Sequence, residues 1–199
     1  MTTSGRIAVL IAALAAASCS FLHKKSQDEV IDISHIKPIT EVILVDASDF
    51  LVKIDPVEYD CMRTNMYYEA RNQRTDTAYI AVGYTVLNRT ASKRYPNTVC
   101  GVVTQARRDI KGNPIRHKCQ FSWYCDGKSN KPRLDNVIEQ RAWDRASLLA
   151  LKVMRKEVDN PIGSATMYHA NYVKPFWKDS YRQVAVIESH IFYTKPTKA

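Results

Sequence analysis

The run Tyr67-Tyr68-Glu69-Ala70-Arg71-Asn72-Gln73 is followed after a short gap by Ala81-Val82-Gly83-Tyr84-Thr85-Val86-Leu87-Asn88-Arg89. It sets one acidic side chain, Glu69, with two aromatics on one side and the end of an apolar helix on the other. Such surroundings keep a carboxylic acid protonated near neutral pH, and a proton donor of that kind suits the cleavage of glycosidic bonds. Cys61, Met62, Met66 and Glu69 fall at helical spacing, which places the acid on a face that points toward the core.

Outward from this stretch the helical signals continue. The polar group Arg71 to Arg74 closes the first helix, which begins near Val57, and Thr75 or Asp76 can cap a second over 77–88. That second helix is apolar nearly all round and is expected at the centre of the fold. A short third helix is expected over 98–105. A fourth is expected over 136–156, with Asn136 and Glu139 as a capping pair and Ile138, Ala142, Ala146, Leu149 and Val153 as its buried stripe. Residues 165–170, 182–187 and 191–194 read as short strands.

The chain of 199 residues, 45% hydrophobic and 25% charged, is long enough for one well-buried domain with an appendage. Its net charge of +9 implies attraction to a polyanion. Lys and Arg are scattered, with no tight run and no nucleic-acid motif, so no nucleic-acid partner is expected. The N-terminus has the shape of an export signal. Residues 1–6 are polar and basic, and 7–17 are an uncharged run of Ile, Ala, Val and Leu, too short for a spanning helix. Ala16-Ala17-Ser18-Cys19 resembles a bacterial lipobox, with Ala16 where such boxes usually carry Leu. The expected organisation is therefore a signal over 1–19 with Cys19 as lipidation site, a tether over 20–56, and a domain over 57–199. Simple cleavage without lipid is the alternative.

An exported chain reaches a compartment where disulfides persist. Setting Cys19 aside leaves Cys61, Cys100, Cys119 and Cys125, which allow three pairings. The gap between Cys119 and Cys125 suits a small closed loop, leaving Cys61 to meet Cys100. A zinc site is the rival reading, weakened because the cysteines lack paired spacing and each His stands apart from a second ligand. No metal and no cofactor are expected.

Several ordered blocks together resemble a known family. They are Tyr68-Glu69-Ala70-Arg71, Ala81-Val82-Gly83 with Val86-Leu87-Asn88-Arg89, and Tyr95-Pro96-Asn97-Thr98-Val99-Cys100-Gly101-Val102-Val103. Further blocks are Cys119-Gln120-Phe121-Ser122 with Cys125-Asp126-Gly127, Ala165-Thr166-Met167-Tyr168-His169 with Tyr172 and Trp177, and His190-Ile191-Phe192-Tyr193. This pattern is similar to the cell-wall hydrolases related to the spore cortex-lytic enzyme SleB, in a cysteine-bearing form resembling members from Gram-negative bacteria or their phages. The resemblance implies an α+β fold, a mainly helical lysozyme-like domain with a small antiparallel sheet. It also implies peptidoglycan glycan strands as partner, cut between N-acetylmuramic acid and N-acetylglucosamine.

Members of that family act as lytic transglycosylases or are described as amidases. An amidase needs a zinc site or a Cys nucleophile with a His partner, and neither is convincing here. A single placed Glu69 suits a transglycosylase, in which one residue serves as acid and then as base. A lysozyme-type hydrolase would need a second carboxylate, for which Asp76 and Asp126 are the nearest candidates. For substrate contacts, Gln120 and Ser122 offer polar groups to acetamido substituents, and Phe121 and Trp123 offer faces for sugar rings, Phe121 being equally a core residue. Tyr168, His169 and Tyr172 form a polar-aromatic cluster that resembles the family's cleft, with Tyr168 placed to orient Glu69. His169 can equally be structural. Asn88 and Arg89 are expected to support the site from behind, and Trp177 and His190 to be structural. For Glu69 itself the plain alternative is a buried acid paired with Arg71 or Arg89. A monomer in the periplasm, anchored to the outer membrane if Cys19 is lipidated, completes the expectation. Two other classes remain open: a non-catalytic peptidoglycan-binding lipoprotein, and a basic nucleic-acid-binding or phage-structural protein.

Overall fold

The computed structural model describes residues 53–196. The expected export signal, the expected lipidation site Cys19 and all but the last residues of the expected tether lie outside them. Helix α1, Pro56–Ala70, starts where Asp55 accepts the Val57 and Glu58 amides at 2.7 and 3.3 Å, and Pro56 supplies a φ already suited to a first helical turn. Its buried stripe is Met62, Asn65, Met66 and Ala70 at helical spacing, with Tyr67 beside it.

Helix α2, Asp76–Thr90, is buried on more than one face and packs on α1 and on the later helix α4. Contact is closest at Gly83, where a Cβ would stand 3.1 Å from Met66 Sδ and 3.2 Å from a Val153 methyl. A side chain there would require Met66 and Val153 to give way in a closely packed core. Thr75 occupies the expected N-cap position without making a side-chain cap bond. The Arg74 and Thr75 amides instead bind the Glu188 carboxylate from across the fold, at 2.8 and 2.7 Å, and the Thr75 hydroxyl donates to it as well. Asp76 pairs with Arg145 at 2.5 Å.

Helix α3, Val99–Val103, is capped by Thr98 and tied to α1 by the Cys61–Cys100 disulfide. A hairpin of β1, Ala106–Arg108, and β2, Pro114–Cys119, follows; the sequence patterning gave no sign of it. Its strands show little burial and carry Arg107, Arg108, Arg116, His117 and Lys118 instead of an alternating apolar face. A 3-10 turn, Ser122–Cys125, is closed by the Cys119–Cys125 disulfide. Both favoured pairings are present, which leaves no thiolate among these four for zinc or for nucleophilic attack.

Helix α4, Val137–Met154, has Asn136 as N-cap, accepting the Ile138 and Glu139 amides at 3.0 Å each. Glu139 does not close a reciprocal capping box; its carboxylate goes to Tyr67 and Arg71. Ala146, Leu149, Ala150 and Val153 form the buried stripe; Ile138, expected in it, is 74% exposed, and the first turn of α4 meets the end of α1 through Glu139 instead. The sheet contains β3, Met167–Ala170, β4, Arg182–Ile187, and β5, His190–Thr194, antiparallel in the order β3-β5-β4. Four helices and small antiparallel sheets make the domain α+β, as expected.

Candidate active site

Glu69 sits in the last turn of α1, at the edge of the buried stripe, and lines a cleft of about 540 Å³. The opposite wall comes from β3 and the β4–β5 turn, and a third side from residues 120–123. Every residue expected to touch substrate lines this cleft: Gln120, Phe121, Ser122, Trp123, Tyr168, His169 and Tyr172. They differ in how they are held. Phe121 is 2% exposed, so it is core and cleft wall at once, whereas Tyr172 is 84% exposed and stands at the rim. Trp123 stacks on Tyr68 with ring centroids 4.9 Å apart and donates its indole N–H to Asn65 Oδ1 at 3.1 Å. Gln120 and Ser122 are exposed.

The Tyr168 hydroxyl donates to Glu69 Oε2 at 2.8 Å. Strand pairing fixes that distance, because Tyr168 lies opposite Phe192 in the β3–β5 register and its ring packs on both Phe192 and His190. Burial raises the Glu69 carboxyl above its ordinary value, opposed by the Tyr168 hydrogen bond and by the positive charge of Arg89. Burial and the adjacent carboxylate push the Tyr168 phenol well above its ordinary value, so it remains a donor.

Arg89 is buried, its Nε–H donating to the Thr166 carbonyl at 2.7 Å and its guanidinium lying between the rings of Tyr95 and Phe121 at 5.2 and 5.1 Å. Its Nη1 has no hydrogen-bond partner. Asn88 donates to the carbonyls of Gly163 and Ala165, both at 2.7 Å, and so fixes the approach to β3. Arg71, the other cation suggested as a partner for Glu69, pairs with Glu139 at 3.4 Å. Glu69 forms no ion pair among the described residues.

One expectation needs correction. Tyr67 does not flank Glu69 in space; its ring packs edge-on against Trp143 and its hydroxyl bonds Glu139, in the interface with α4. His190, expected to be structural, is 7% exposed and packs on Tyr168 and Phe192; it also lines the cleft, with an unpartnered Nδ1 and a basicity lowered by burial. His169 places one ring nitrogen 2.8 Å from the Ala170 carbonyl and the other 3.0 Å from the Tyr193 hydroxyl. Trp177 packs on His169 and Tyr193. Asn72, Gln73 and Ser189 also line the cleft and were not singled out in the sequence. Gln73 and Ser189 meet through a 3.0 Å hydrogen bond that joins the end of α1 to the β4–β5 turn. Only the polar closing residues of the first helix hinted at them.

Among the described residues, Glu69 is the one carboxylic acid that lines this cleft. Asp76 is held by Arg145, and Asp126 lines a neighbouring hollow. The family described as Cell Wall Hydrolase matches residues 73–193, more than half of the chain. The chain belongs to this family. A Cell Wall Hydrolase acts outside the cytoplasm, on the wall itself, and the matched stretch contains every cleft segment except the end of α1 that carries Glu69.

Among solved structures, the catalytic domain of the germination-specific lytic transglycosylase SleB from Bacillus anthracis matches with 22% identity and a TM-score of 0.52, over 72% of this chain and 99% of that one. It shows the same fold. The catalytic domain of the Bacillus cereus SleB protein matches with 22% identity and a TM-score of 0.46, over 69% of this chain and 91% of that one. No curated protein matches the chain.

Proposed function

We propose that this enzyme cleaves the bond between N-acetylmuramic acid and N-acetylglucosamine in peptidoglycan as a lytic transglycosylase, with Glu69 as acid and base. The observation that carries the proposal is that Glu69 is the single carboxylate lining the cleft among the described residues. A hydrolase of the two-carboxylate kind holds a second acid about 5–5.5 or 6.5–9.5 Å from the first. No described residue in the lining of this cleft supplies one.

The steps balance with one residue. Protonated Glu69 gives its proton to the bridging oxygen as the muramic C1–O bond breaks, and positive charge spreads over C1 and the ring oxygen. The Glu69 carboxylate then takes the proton of the same sugar's C6 hydroxyl, whose oxygen bonds to C1 and closes a 1,6-anhydro ring. No water is consumed, and Glu69 ends protonated for the next turnover. Tyr168, donating to Oε2, fixes the carboxyl and leaves Oε1 for the sugar. It also stabilises the carboxylate between the two transfers, as does the charge of Arg89.

Trp123 and Tyr172 offer faces for sugar rings, while Gln120 and Ser122 offer polar groups to the acetamido substituents; Phe121, buried under Arg89, and His169, held by the Ala170 carbonyl and the Tyr193 hydroxyl, shape the wall behind them. The signal over 1–19 would export the chain to the periplasm, and lipid on Cys19 would hold the domain over 57–199 near the membrane through its tether. The test of the reaction is digestion of purified peptidoglycan by the wild type and Glu69→Gln, followed by mass spectrometry. Anhydromuropeptides from the wild type alone are expected. New reducing ends would replace the proposal with hydrolysis, and free stem peptides would replace it with amidase activity.

A further inference from the structure

A second hollow of about 670 Å³ lies beside the cleft and shares with it Tyr68, Ser122 and Trp123. Its chemistry is different. Arg71, Lys128, Lys131 and Arg133 line it against one acid, Asp126. Asp126 is already engaged, its carboxylate accepting the Lys128 amide at 2.8 Å. Arg71 is paired with Glu139 and Arg133 with Asp135. Lys128 and Lys131 are exposed and make no ion pair among the described residues, so the hollow carries four cations against the one acid Asp126, with these two lysines unpaired.

We propose that this hollow takes the peptide branch of the muramic residue and holds its free carboxylates on Lys128 and Lys131. The proposal rests on the reading of the cleft as a glycan site. The muramic sugar whose C1 reacts carries its stem peptide on the lactyl group at O3, so a branch must leave the groove close to the catalytic acid. The partition between cleft and hollow is Tyr68, next to Glu69 in the chain, stacked on Trp123. A strand seated against Glu69 therefore has a cationic recess beside its first branch. The stem bears carboxylates on its D-glutamate and terminal residues and matches that recess in sign. Ser122 and Ser129 add polar groups along the path. The hollow thus recognises peptide-bearing strands over bare glycan.

The test compares intact peptidoglycan strands with strands stripped of peptide by an amidase, using wild type, Lys128→Ala/Lys131→Ala and Lys128→Arg/Lys131→Arg. The wild type is expected to prefer intact strands, by kcat/KM, on the order of tenfold, and the alanine pair to lose that preference, as two exposed charge contacts allow. The arginine pair should retain it, and rising salt should erode it. An alanine pair with the wild-type preference would overturn the proposal.

An NMR titration of ¹⁵N-labelled Glu69→Gln with free stem tetrapeptide, and with the same peptide amidated at its carboxyls, reads the hollow without turnover. Shifts at the Lys128 and Lys131 amides with the free peptide alone support the proposal. Equal shifts with both peptides, or none, overturn it. A wild type that cuts neither strand would refute the glycan reading of the cleft, while the titration would still decide what the hollow binds.

Discussion

Two sides of the site, the helical wall that carries the acid and the loop wall shared between cleft and hollow, are made of different material. The helical wall, the end of α1 backed by α2 and α4, rests on Met62, Met66, Val82, Ala150 and Val153, all fully buried. The loop wall, running from Gln120 through the 3-10 turn toward Arg133, is anchored by Phe121 and Cys125 and otherwise presents mostly exposed or half-buried side chains. The acid is on the helical wall and most of the polar groups offered to sugar and peptide are on the loop wall. A proton donor must have its environment held constant, since its acidity is set by desolvation and by one 2.8 Å hydrogen bond. Groups that only contact ligand tolerate a more pliable support.

The largest expected break in this division of labour is Glu69→Gln, which keeps the shape of the helical wall and removes its proton. Turnover on peptidoglycan should fall by about 10²–10⁴-fold, the usual contribution of a positioned acid and base. Retained binding to insoluble peptidoglycan alongside that loss would separate the two walls' roles. Loss of binding in step with turnover would deny the separation.

The disulfides allow a structural version of the same comparison. Cys61–Cys100 closes 39 residues and belongs to the helical wall, and Cys119–Cys125 closes 6 and belongs to the loop wall. Chain-entropy estimates put their removal by paired Cys→Ala substitution at about 4 and about 2 kcal/mol respectively. Denaturant unfolding would check the order. A larger loss from the short loop would show that the loop wall is not the softer of the two.

How much of each wall could be read from sequence follows from the same contrast. The apolar spacing of Met62, Met66, Ala146, Leu149 and Val153 exists because those side chains pack, so α1, α2 and α4 were legible with their core. The hairpin β1–β2 was not, because Arg107, Arg108, Arg116 and Lys118 face solvent and nothing in their order marks a strand. Its cohesion comes from the strand pairing and from a turn around Asp109, whose carboxylate accepts the amides of Lys111 and Asn113, while the disulfide at its end ties β2 to the following 3-10 turn. The misplacement of Tyr67 has a geometric cause. Residues two apart on a helix point about 200° away from each other, so Tyr67 could not share a face with Glu69 although it sits close in the chain. Ser189 reaches the cleft only through the sheet register, which no local pattern states; Tyr168, roughly a hundred residues from α1, was legible through the family resemblance and not through any local pattern.

Tyr168→Phe tests whether the sheet tunes the acid held by the helical wall. The phenol donates to the charged form of Glu69, so its removal should raise the Glu69 carboxyl further and move the alkaline limb of the pH–rate profile to higher pH. Loss of a charge-assisted hydrogen bond, about 1.5–3 kcal/mol, would lower kcat by roughly ten- to a hundredfold at the step where the carboxylate must exist. A change in rate without movement of the profile would mean that Tyr168 only positions Glu69. An unchanged rate and profile would remove Tyr168 from the mechanism.

The smallest effect concerns stability, and its sign is opposite to that of most carboxylates. Glu69 is raised in the folded protein, chiefly by burial, so between its unfolded and folded values the folded state binds the extra proton. Its contribution to stability is fully present below the unfolded value, near 4.3, and is lost as pH rises through the folded value. Glu69→Gln cannot ionise and escapes that loss, while its side-chain oxygen can still accept from Tyr168. The variant should therefore gain on the wild type as pH increases, and the difference between their urea midpoints should widen from acid to neutral pH. All other titrating groups are common to both proteins, so the difference isolates the acid. A gap that narrowed with rising pH would mean that Glu69 is a satisfied, ionised carboxylate, and the helical wall would then be support without a proton to give.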